Sequence, residues 1–138
     1  MKESVDWDLI VTSSLNAILC GDRGTIDANL GILRAHLKLP VCEWSRTARA
    51  PLPSIQGGTL IVTDLEGATC EEQRTLLAWL DGHAGVRVIT LSEGSVFELV
   101  TRGELLEQLY YRLNHIYLAL SPDCGTHATG TDRRGGAA

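Results

Sequence analysis

Long apolar runs are missing from this chain of 138 residues. No run approaches the ~18 residues that a membrane-spanning helix needs, so a membrane partner is not expected. The N-terminus, MKESVDWDLI, lacks the basic-then-apolar order of a secretory signal, and the expected location is the cytoplasm. Positive charge is also short. Twelve Lys and Arg face 17 Asp and Glu, for a formal net charge of −5. Phosphate backbones favour basic surfaces, so direct DNA binding is not expected. A local basic patch stays open, since Arg46 lies close to Arg49 and Arg133 to Arg134. Cys20, Cys42, Cys70 and Cys124 form no C-x-x-C pair, and His36, His83, His115 and His127 make no metal-ligand spacing with them. No metal is expected. Cys20 and Cys42 lie in apolar, strand-like runs and read as buried reduced thiols.

What the chain does have is alternation. Apolar runs interchange with amphipathic ones, the pattern of a βαβ protein. Strands are predicted at Asn16–Cys20, Pro40–Trp44, Thr59–Thr63, Val86–Leu91 and His115–Leu120. Gly21–Thr25 reads as a turn. A helix over 26–37 carries an apolar stripe of Ile26, Leu30, Leu33 and Leu37. Another over 69–80 opens on the capping box Thr69–Glu72, and Gly82 follows its end. Ser95 and Glu98 have the same spacing at the start of a short helix, and Glu104–Leu113 is a further helix. Ser45–Gln56 is a loop, and the first seven residues give no clear signal. The predicted domain is an α/β core over residues 8–121, with a mostly parallel five-stranded sheet between helical layers. Residues 122–138 hold no large apolar side chain and read as a disordered tail. Parallel sheets bind ligands beyond the C-terminal ends of their strands, which directs attention to Gly21–Asp27, Asp64–Glu66 and Ser92–Gly94.

Three segments together carry a resemblance. GGTLIVTD at 57–64 is similar to GGTLFLDE, VRVIT at 86–90 to VRVIAATN, and LYYRLN at 109–114 to the end of G-x-F-R-E-D-L-Y-Y-R-L-N. These are the Walker B, sensor I and arginine-finger segments of the AAA+ ATPase domain of bacterial sigma-54-dependent transcription activators, in the same order. The chain resembles a shortened form of that domain over residues 15–121. The resemblance implies a P-loop NTPase-like αβα sandwich. In that frame residues 18–28, ILCGDRGTIDA, stand where the family has its Walker A segment, G-E-x-G-T-G-K-E.

The resemblance assigns a degenerate nucleotide site to Gly21, Asp22, Gly24, Thr25, Asp27, Thr63 and Asp64. Gly21, Gly24 and Thr25 match the family. Ile26 replaces the second glycine and Asp27 the lysine. Thr63 stands at the magnesium aspartate, Asp64 at the glutamate that prepares water, Glu93 at the sensor I asparagine and Leu106 at the first arginine finger. Arg112 keeps the second finger. No GAFTGA loop is found, and no lid or helix-turn-helix is expected. Phosphoryl transfer needs metal, lysine and positioned charges together, so no catalysis and no cofactor are expected, with ATP and magnesium relevant only if the degenerate site still binds. The expected function is a non-catalytic regulatory binding module whose partner is an AAA+ activator, a sensor kinase or a second copy. One alternative is a residual ATP-binding protein of the family. Another is a receiver-like signalling domain with Asp64 at a strand end.

Overall fold

The computed structural model describes residues 4–48 and 51–120, apart from the side chains of residues 4–6 and 48. The tail expected at 122–138, and Arg49, Arg133 and Arg134, lie outside the described residues.

Five strands alternate with helices: α1 (Ser4–Thr12), β1 (Ala17–Cys20), α2 (Arg23–Leu33), β2 (Val41–Ser45), β3 (Gly58–Thr63), α3 (Cys70–Asp81), β4 (Val86–Ser92), α4 (Val96–Thr101), α5 (Glu107–Leu113) and β5 (Ile116–Ala119). All neighbouring strands pair in parallel, in the order β2-β3-β4-β1-β5. The sheet is therefore wholly parallel. The order also excludes the receiver-like alternative, because receiver domains of the flavodoxin type run 2-1-3-4-5. Here β1 lies between β4 and β5, away from β2.

Alternation along the strands divides the core. Ile18, Leu60, Val62 and Val88 point to one face, where Leu76 and Leu80 of α3, Val96 and Leu99 of α4, and Leu109 and Leu113 of α5 cover them. Leu19, Ile61, Ile89 and Leu91 point to the other, under Ile26, Leu30 and Leu33 of α2. Ile10 of α1 joins this second cluster and is 0% exposed. No helix is predicted there, and its first residues fall in the stretch of seven that reads as unclear.

Local chemistry sets the helix ends. Thr69 accepts the Glu72 N–H at 3.1 Å, and Glu72 accepts the Thr69 N–H at 2.8 Å, closing the capping box. Ser95 caps α4 by accepting the Glu98 N–H. The last predicted helix begins three residues later than expected, at Glu107 rather than Glu104. The cause is Gln73 of α3, buried at 4% exposure. Its amide donates to the Ala68 and Glu104 carbonyls, and its oxygen accepts the Leu106 N–H at 2.7 Å, fixing a bent, non-helical connection. Cys42 is a free thiol, as expected, but half-buried rather than buried. Cys20 is disulfide-bonded, which corrects the expectation of a reduced thiol there.

Candidate functional site

The C-terminal ends of β3 and β4, with Glu43 of β2, meet α2 around a cavity of about 300 Å³. Its lining includes Asp27, Thr63, Asp64, Glu66, Ser92 and Glu93. The topology thus gathers residues from all three segments expected to form the ligand edge.

Only Gly21 and Asp22 separate β1 from α2. Gly21 is buried, and its N–H donates to the Ser92 carbonyl at 3.0 Å, prolonging the β1–β4 pairing. Asp22 is extended, with φ −68° and ψ 161°, and acts as the helix cap. Its carboxylate accepts the Thr25 N–H at 2.8 Å and the Thr25 hydroxyl at 3.0 Å. Gly24 lies within the first turn of the helix, where a Cβ would meet nothing closer than Asp22 Oδ1 at 3.6 Å. Ile26 is 5% exposed, its side chain in the core. Asp27 is exposed and lines the cavity.

Asp64, just beyond β3, has φ 59°. Asp and Asn adopt this left-handed region more readily than other side chains that carry a Cβ. The turn brings its carboxylate to the neighbouring strand end. Ser45 donates to Oδ2 at 2.6 Å, Thr47 at 3.2 Å and Thr63 at 3.5 Å. The Ser45 hydrogen bond is the main cause holding the Asp64 carboxyl below its ordinary pKa. Partial burial opposes it, while Thr47, the Arg23 charge and Thr63 assist. Thr63 thus meets Asp64 directly. Ser45 and Thr47 escaped the sequence reading because they fall in a stretch read as loop. Their signal is positional: Ser45 ends β2 and pairs in register with Thr63.

Glu66 bridges two strand ends. It accepts from the Ser92 hydroxyl at 2.8 Å and the Glu93 N–H at 3.2 Å. Arg23 pairs with Glu93 at 3.3 Å, and Arg34 pairs with Glu43 across the same cavity. Five carboxylates, from Asp27, Glu43, Asp64, Glu66 and Glu93, line the cavity with two arginines. Both arginines are already engaged. Arg46, one half of the basic pair noted in the sequence, lies 3.9 Å from Glu72.

Arg112 is not part of this site. It sits on α5 and lines a cavity on the opposite, N-terminal edge of the sheet. Its guanidinium bonds Asp81 at 2.5 Å.

The comparisons with known proteins identify the fold and the family. The sigma-54 interaction domain family model matches residues 34–122. The chain belongs to the sigma-54 interaction domain family. The matched span takes in the Walker B, sensor I and LYYRLN segments, and it starts beyond the β1–α2 turn. TyrR of Enterobacter agglomerans, an HTH-type transcriptional regulatory protein, is 37% identical over 78 residues, covering 48% of this chain and 15% of TyrR. The P-loop NTPase domain of the sigma-54 transport activator from E. coli superposes with a TM-score of 0.63 at 21% identity, over 88% of this chain and 93% of that one. NtrX from Brucella abortus in complex with ATP gives 0.64 at 14% identity, over 86% of this chain and 34% of NtrX. The structural likenesses establish the P-loop NTPase fold. The chain spans about a third of NtrX and 15% of TyrR. Transcription regulation is the setting of this family. Among the described residues, no helix is long and apolar enough to cross a membrane.

Proposed function

We propose that this chain is a non-catalytic member of the sigma-54 interaction domain family that acts by binding protein. The observation that carries the reading is the Asp22–Thr25 contact at the start of α2. A P-loop offers phosphates a glycine-rich loop whose backbone N–H groups converge on them, with a lysine beside. In this chain two residues span that interval, the Gly21 N–H is spent on Ser92, and a carboxylate caps the helix where phosphate would approach. Asp27 stands at the position that corresponds to the lysine. At ~4 Å two like unit charges repel by about 1 kcal/mol in water and about 4 kcal/mol at an effective dielectric of 20. The carboxylate excess around the cavity has the same sign and adds to that repulsion for a polyphosphate.

The surface supports a protein partner. Tyr111, within the LYYRLN segment, is 66% exposed, and Phe97 is 41% exposed. Tyr110 lies between them, with ring centroids 6.4 Å from Phe97 and 5.6 Å from Tyr111. Aromatic side chains are enriched in the centres of protein interfaces. The partner is an AAA+ activator, a sensor kinase or a second copy, and direct DNA binding is not part of this reading.

A thermal-unfolding titration with Mg-ATP tests it. A ligand at 100 times its dissociation constant stabilises a protein by about 2.7 kcal/mol. The expected result is no shift at millimolar Mg-ATP. A shift that Asp64→Asn or Asp27→Ala alters would replace this reading with residual ATP binding.

A further inference from the structure

The N-terminal edge of the sheet holds a second cavity, of about 450 Å³, with charge opposite to the first. Its titratable lining is basic throughout: His36, Lys38, His83, Arg87, Arg112 and His115. No carboxylate lines it. These side chains converge from the turn after α2, the α3–β4 turn, β4, α5 and the start of β5. In a chain with a formal net charge of −5, such a gathering of one sign runs against the overall balance.

Arg87 is the informative residue. It is 7% exposed. Nε donates to the Leu15 carbonyl at 2.6 Å, which fixes the guanidinium, while Nη2 is buried with no hydrogen-bond partner. Among the described residues no carboxylate pairs with Arg87. A buried charge lacking a counterion is costly, and the Leu15 carbonyl offsets only part of that cost. A bound anion would. Two neighbours are prepared in the same sense. The His115 Nδ1 accepts the Asn16 N–H at 3.3 Å, so in the neutral ring the proton sits on Nε2 and can be donated. Lys38 is exposed at the mouth.

We propose that this cavity is an oxyanion site for a phosphate group, with Arg87 as its buried anchor and Lys38 and His115 as further donors. Donors arriving from several elements suit a tetrahedral group better than a planar carboxylate, which takes its bonds in one plane. Arg112 also lines the cavity, but Asp81 holds its guanidinium. Asp81 therefore weakens the site and should be a brake on binding. The site lies on the edge opposite the α2 cavity and does not depend on the function proposed for that cavity.

The test uses the full chain. Its unfolding midpoint is followed with increasing inorganic phosphate, against chloride at equal ionic strength, and the affinity is measured by calorimetry. Phosphate should raise the midpoint where chloride does not. Lys38→Glu, an exposed change that leaves the core intact, should weaken phosphate binding on the order of tenfold. Arg87→Gln should abolish it. Asp81→Asn should strengthen it several-fold by releasing Arg112. Should Arg87→Gln fail to fold, the Lys38 and Asp81 variants still decide. A parallel arm with glycerol phosphate separates sources: binding equal to or tighter than phosphate assigns the site to a phosphomonoester, and binding of inorganic phosphate alone assigns it to the free ion. Equal effects of phosphate and chloride, or a phosphate effect unchanged by Lys38→Glu, would overturn the proposal.

Discussion

The carboxylate of Asp22 accepts both the backbone N–H and the hydroxyl of Thr25, at 2.8 and 3.0 Å, so the first turn of α2 is closed by its own side chain. Asp22→Ala should cost about 1 kcal/mol, the ordinary value of an N-cap, read from urea unfolding. On the non-catalytic reading, Asp27→Lys should not confer a thermal shift with Mg-ATP, because only Gly21 and Asp22 separate β1 from α2. The double change Ile26→Gly with Asp27→Lys is a poor test of ATP binding. Ile26 is buried, and deleting a buried isoleucine costs about 2–5 kcal/mol before any ligand is added.

Asp64 should leave a signature in the pH dependence of stability. Its folded pKa is depressed, chiefly by the Ser45 hydroxyl. A depressed carboxylate contributes stability that is fully present above its unfolded pKa, about 3.9, and is lost as pH falls through the lower folded value. Asn tolerates the same φ but carries no charge. The stability difference between the wild type and Asp64→Asn should therefore be constant near neutrality and shrink below about pH 4. Urea midpoints at a series of pH values measure it. A difference independent of pH down to 2 would remove the Ser45–Asp64 account.

Gly57 and Gly58 should respond differently to alanine although they are adjacent. Gly58 has φ 100°, and a Cβ there would lie 2.4 Å from the Pro40 carbonyl, which also accepts the Thr59 N–H at 2.9 Å. Gly58→Ala combines backbone strain with overpacking and should cost about 2–5 kcal/mol. A Cβ on Gly57 meets only the Gly85 carbonyl at 3.9 Å. Gly57→Ala should change stability by less than about 1 kcal/mol. Comparable losses for the two would show that the Pro40 contact is not the cause.

Ile10 tests whether α1 belongs to the domain. It is fully buried against the second core cluster, so Ile10→Ala should cost about 2–5 kcal/mol. Little effect on the thermal midpoint would mean that α1 is dispensable.

Arg112 tests the choice of partner. Its pair with Asp81 is partly exposed, and exposed pairs contribute about 0–1 kcal/mol. Arg112→Ala should leave folding nearly unchanged. If the proposed partner is an intact sigma-54 activator, adding the wild-type chain should change that protein's ATP turnover and the variant should not. Arginine fingers are worth on the order of 10³–10⁵ in rate, so a misaligned one is still measurable. Identical turnover with wild type, variant and neither would make Arg112 a surface charge held by Asp81.

Much of the fold was legible locally. Short apolar runs marked β1 to β5 to within a residue or two, because strands of a parallel sheet covered on both faces read as near-continuous apolar stretches. The Thr69–Glu72 box placed the start of α3, because capping is satisfied within four residues. The GGTL, VRVIT and LYYRLN segments pointed to the family that residues 34–122 match. The α1 helix was not legible, since a short helix declares itself only through the surface it covers. Nor was the bent connection before α5, where the distant Gln73 amide overrides local helical preference. The candidate site divides in the same way. The sequence named Asp22, Asp27 and Asp64 and the loops that carry them. Only the strand order could place Ser45 against Asp64, Glu66 against Ser92, and Arg87 alone among basic neighbours, because these contacts join residues far apart in the chain. Residue identity determined which charges exist; parallel packing of the five strands decided which of them, among the described residues, are neutralised and which are left without a counterion.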